Sequence, residues 1–257
     1  GSKTIISDYV GDGMMLGEPR INPMGTHILW DAGATPFSNS IFVYEIGGGT
    51  VSISPSSVYD SSADFHPDGE HIIVASGIEA GQTSDLYMVD YDGSGRTCIT
   101  TAPYSIRNPR CSPDGNRIVM TLVLPGNDPP ESDLYIYDMT ACEFTVLVPH
   151  QGLDENPSWS PVEIDGSYLV AFDSNRDHPN YPEWHTIYLL NPENNEIVFD
   201  YLSSGDRHPS FSPDGLWLTY SHDAYNEIYL YSFESDSRHQ ITWNEWYDYS
   251  PSWCWGW

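Results

Sequence analysis

Three histidines can do chemistry together if the chain brings them to one face. His178 and His185 share the stretch 173–185, and His208 stands further on. With carboxylates such as Asp154 and Glu155 nearby, they are donors that a divalent metal accepts. Their spacing matches no zinc or helix-borne metal motif, so the sequence leaves the metal unassigned. The same stretch holds Tyr181 and Trp184, and a second stretch holds Trp243, Trp246 and Tyr247. Flat rings flanked by amides and carboxylates stack on sugar rings or anchor a protein hot spot. A third motif, Asp90-Tyr91-Asp92-Gly93-Ser94-Gly95, alternates oxygen ligands as a calcium loop does, but Thr101 stands where the distal glutamate belongs. An ordinary hairpin turn is expected there. There is no Gly-x-Ser-x-Gly elbow, His-Glu-x-x-His helix, phosphate loop or dinucleotide fingerprint. Binding is therefore expected over catalysis, with no cofactor beyond a divalent cation such as calcium.

The elements that must position these residues come from a repeat. Phe65-His66-Pro67-Asp68-Gly69, Cys111-Ser112-Pro113-Asp114-Gly115, Trp159-Ser160-Pro161 and Phe211-Ser212-Pro213-Asp214-Gly215 each open a unit, and Ile21-Asn22-Pro23-Met24-Gly25 is a degenerate copy. Prolines at 23, 67, 113, 161 and 213 are separated by 44, 46, 48 and 52 residues. Helical repeats run at about 34 residues, whereas propeller blades occupy this longer range. In each turn proline presets φ, aspartate bonds back to the chain and glycine takes φ > 0. Stretches such as Arg117–Thr121 and Asp133–Asp138 are β-branched and aromatic with no helical period, which predicts four strands per unit.

The string x-Pro-x-aromatic-Ser-Pro-Asp-Gly, followed by an Asp-Leu-Tyr or Glu-Ile-Tyr strand, resembles the WD-related repeat of TolB-like β-propellers over about residues 18 to 254. Cys111 departs from the pattern, where an aromatic residue is expected. The expected fold is a single all-β propeller of four-stranded blades over 1–257. Repeats fall at about 18–54, 62–100, 108–148, 156–200 and 208–242, and a partial closing blade is expected from 250–257 plus 3–8. That gives six blades; five is the alternative.

In propellers of this type the residue before each leading proline crowds the central channel. Those residues are Glu18, Asn108, Asn156, His208 and Ser250, with Ser62 where Ala63 replaces the proline. Glu155 and Arg207 stand beside them, as do Arg107 and Tyr249. The resemblance implies that this mouth receives a partner segment. A non-enzymatic, exported scaffold for a peptide, protein segment or glycan is expected. The alternatives are a metal-assisted polysaccharide lyase or hydrolase, which this broad family contains, and the gating domain of a larger peptidase.

Composition limits the partners. With 37 acidic against 9 basic residues the net charge is −28, which repels nucleic acid and anionic membranes. No apolar run reaches the roughly 18–20 residues that cross a bilayer. A periplasmic or extracellular location is expected. Cys98, Cys111, Cys142 and Cys254 allow three fully paired connectivities, and the sequence selects none.

Overall fold

The computed structural model describes residues 15–35, 38–77, 83–101, 104–124, 131–178, 180–181, 183–199, 204–223, 226–243 and 247–253. Each repeat forms one antiparallel sheet with its strands in chain order. Blade 1 has a split inner strand, Met15–Leu16 and Arg20–Ile21, against His27–Thr35, followed by Ser38–Glu45 and Thr50–Ser52. Blade 2 comprises Tyr59–Phe65, His71–Gly77, Ser84–Asp90 and Thr97–Cys98. Blade 3 comprises Ser105–Cys111, Arg117–Leu124, Glu131–Asp138 and Glu143–Leu147. Blade 4 comprises Asp154–Trp159, Val170–Ser174, Thr186–Asn191 and Glu196–Phe199. Blade 5 comprises Asp206–Phe211, Trp217–His222, Glu227–Ser232 and Ser237–Gln240. Among the described residues no helix is long and apolar enough to cross a membrane.

The described residues therefore form five blades, which corrects the expectation of six. Ser250–Trp253 repeats the local geometry of an inner strand. Ser250 has φ 51°, and the Trp253 indole donates to the Ser210 carbonyl (3.1 Å) as Trp159 does to Arg110 (3.0 Å). Yet this segment pairs with no strand among the described residues. Residues 3–8 and 254–257, the rest of the expected closing blade, lie outside the described residues.

Blade faces pack on blade faces, so the second strands are apolar on both sides. Ile72, Ile73, Val74 and Ala75 are all fully buried in sequence, contacting two different core clusters. Burying each large aliphatic side chain there contributes about 1.5–3 kcal/mol.

The turns follow from their sequence. In blade 3 the Ser112 hydroxyl donates to Asp114 (2.6 Å), whose carboxylate also accepts the Asn116 N–H, while Ser112 Oγ accepts the Arg117 N–H. Blade 5 repeats the set with Ser212, Asp214, Leu216 and Trp217. Gly115 and Gly215 sit at φ 74° and 72°, where a Cβ would be strained. Asp90–Gly95 is the expected tight hairpin between the outer strands of blade 2, with Ser94 donating to Asp90 and Asp92.

Candidate functional site at the channel mouth

The inner strands fail as ladders at one place, and that failure builds the site. Pairing is interrupted between Arg107 and Arg110, between Glu155 and Ser158, and between Arg207 and Ser210. A proline in each gap has no N–H for the ladder, and the residue before it turns to positive φ: 48° at Asn108, 53° at Asn156, 54° at His208. Such a bulge re-aims a side chain. Asparagine tolerates this conformation better than most residues.

The re-aimed residues join one another from blade to blade. Ser62 Oγ accepts the Asn108 N–H (3.0 Å), and the Asn108 amide donates to the Asn156 oxygen (2.6 Å). The Asn156 amide donates to Asp173 (2.8 Å), which also accepts the His208 N–H (3.1 Å). The His208 ring lies 3.9 Å from Glu18, and Glu18 holds Arg20 and Arg110 on one oxygen.

Asp173 is the hub. Sequence reasoning placed it only at the edge of a loop; the readable signal was register, because Asp173 pairs with Glu155 on the adjacent strand. Its other oxygen binds His185 Nδ1 at 2.7 Å, and both side chains are fully buried. Burial pushes the Asp173 carboxyl up, but the His185 hydrogen bond and the charges of His185, His208 and Arg207 bring it below the usual carboxylate range. Glu155 moves the other way: burial raises it first and the Asp173 charge adds to that, against His185, Arg207 and Arg107. Two carboxylates facing across one ladder are thus pushed apart, Asp173 below and Glu155 above the usual carboxylate range.

The three histidines separate. His185 and His208 meet through Asp173, while His178 bonds Thr186 Oγ1 (3.2 Å) and sets its ring edge against Trp184. Tyr181 stacks on Trp184 at 4.5 Å, and the pair is exposed (51% and 44%). Arg207 ties this loop to the mouth by donating to the Glu183 carbonyl (3.0 Å) while pairing with Asp223 (2.9 Å). Trp243 and Tyr247 are still more exposed, and no ring contact among the described residues joins them to the Tyr181–Trp184 pair. Trp246 lies outside the described residues.

Two clusters have the composition of metal sites: Glu155, Asp173 and His185 at the mouth, and Asp133, His150 and Asp154 beside it. In the first, Asp173 already accepts three protein donors. In the second, both Asp154 oxygens hold Arg176 at 2.9 Å. A cation at either would have to displace those donors.

No protein-family profile matches the chain. Over 225 residues it is 24% identical to a Bacillus subtilis protein described as the uncharacterized peptidase YuxL, covering 85% of this chain but 31% of that relative. TolB from Acinetobacter baumannii superposes with a TM-score of 0.73 at 17% identity, over 93% of this chain and 57% of that one. A putative TolB from Agrobacterium tumefaciens gives 0.64 at 18% identity, covering 89% and 80%. A chain of a nidogen/laminin complex gives 0.63 at 14%, over 89% and 80%. The chain has the fold of a TolB-like β-propeller.

Proposed function

We propose that this propeller is a binding module that holds a peptide or protein segment across the channel mouth. The observation that carries the reading is Arg107. It is exposed beside the ring, and its guanidinium has no hydrogen bond or ion pair among the described residues, although acids outnumber bases about four to one in this chain. The other described arginines each have a carboxylate partner within 4 Å. A free guanidinium above a rigid polar floor suits a ligand carboxylate, which it can grip bidentately. The braced, exposed pair of Tyr181 and Trp184 offers a neighbouring apolar contact of the kind that anchors interfaces. The fold is also one seen in a protein–protein complex, that of nidogen with laminin.

The test is selection of short peptides with free carboxyl termini on the whole chain, with an oligosaccharide array in parallel. Selected peptides should lose at least tenfold in affinity in Arg107→Ala and in Trp184→Ala, with the fold unchanged by circular dichroism. Retention of affinity in both variants defeats the reading, and capture on the oligosaccharide array alone replaces the peptide with a glycan.

A further inference from the structure

At the opposite end of the channel, under the Pro-Asp-Gly turns, lies a cavity of about 450 Å³ that the reading above does not use. The turn prolines of all five repeats and Trp159 contribute to its walls. Its polar lining is Arg20, Asp64, Arg110, Ser112, Ser158 and Ser252, of which Arg20, Arg110, Ser158 and Ser252 each follow a leading proline and Asp64 follows Ala63 in its place.

Two features there are unusual. Arg20 and Arg110 both bond the same Glu18 oxygen, at 2.7 and 2.5 Å, so two guanidiniums share one carboxylate. Each also has a buried Nε–H with no acceptor among the described residues, and the Arg110 side chain is 6% exposed. Buried donors are nearly always satisfied, so an orphaned pair on one cavity wall marks a missing acceptor. Asp64 shares that wall. Burial holds its carboxyl up at about 6, against the pull of Arg20, the Cys111 N–H and His66, so it is the wall acid that gives up its charge most readily.

We propose that this turn-face cavity binds a compact oxyanion, the carboxylate, sulfate or phosphate of a ligand, between Arg20 and Arg110 on one wall and the Ser158 and Ser252 hydroxyls on another. An oxyanion supplies acceptors to both guanidiniums, and hydroxyls opposite can donate to it. The cavity lies on the turn side of the ring and meets the mouth network at Glu18, which both arginines bond.

The probes are sulfate, phosphate and acetate, titrated calorimetrically into the full chain at pH 5.5 and constant ionic strength, where Asp64 is mostly protonated. A selenate soak of crystals provides an anomalous signal. Saturable binding of at least one anion, a selenate peak between the two arginines, and at least a tenfold loss in Arg20→Met are expected. The ranking of the three anions identifies the ligand class. If Arg20→Met does not fold, Ser158→Val alters the facing wall without touching an ion pair and should also weaken binding. No saturable binding, a selenate peak elsewhere, or unchanged affinity in the variant overturns the site.

Discussion

Acidic side chains at the turns and in the channel of this propeller behave in opposite ways. At the turns, Asp68, Asp114 and Asp214 accept backbone N–H groups and a side-chain donor from residues two or three positions away, and each is held below the usual carboxylate range. In the channel, burial dominates: Asp31 and Asp64 are pushed up to about 6, and Glu155 is raised as well. Residue type is shared, so the difference lies in the donors that the backbone supplies. A turn offers its own N–H groups to the aspartate that shapes it, whereas a channel carboxylate depends on neighbouring blades. The turn acids therefore stabilise the fold near neutral pH, and the channel acids stand ready to exchange protons or to bind.

Asp173 crosses this division, being fully buried yet depressed because three donors from its own and adjacent blades converge on it. Asp173→Ala should have the largest effect. It orphans the Asn156 amide, the His208 N–H and the His185 Nδ1 together, and a loss of about 3–5 kcal/mol is expected in urea denaturation.

Next comes the channel. Because the folded pKa of Asp64 lies above its unfolded value of 3.8, its contribution is present below about pH 4 and is lost as pH rises through about 6. Asp64→Asn keeps an oxygen for the Cys111 N–H and removes the buried charge. It should stabilise the fold at pH 7.5 by on the order of 1–3 kcal/mol and do little at pH 4, as measured by thermal unfolding across that range.

The turn acids carry the opposite sign. Asp114→Ala should cost about 1 kcal/mol at pH 7, and the deficit should shrink as pH falls through the depressed pKa of Asp114. The smallest effect belongs to Arg107→Ala, which breaks no side-chain hydrogen bond or ion pair among the described residues and should leave stability within about 0.5 kcal/mol. A larger change would mean that Arg107 is structural.

The turns were legible in the sequence because their chemistry is local: Ser112, Asp114 and Gly115 are neighbours in the chain and satisfy one another. The ring residues Asn108, Asn156 and His208 were legible for a related reason, since each precedes a proline that breaks the ladder at a fixed place in the repeat. Asp173 was not, because its partners come from strands brought together by register and by the packing of blade 4 against blade 5. Blade count was misread at Ser250–Trp253, where a first-strand motif has the local geometry of an inner strand but pairs with no strand among the described residues. The two aromatic stretches share no ring contact among the described residues: Tyr181 and Trp184 form their own stack, and Arg207 and His185 tie their loop to the channel.

The most direct test of the account uses the two ends of the channel against each other. A photoreactive benzophenone side chain is placed at position 107 on the mouth, and in a second protein at position 216, where Leu216 is half exposed on the turn face. Each is illuminated with a peptide selected on the unmodified chain. Cross-linking at 107 and not at 216 is the expected result. Cross-linking at 216 alone would place the binding surface at the wrong end of the propeller and contradict the account.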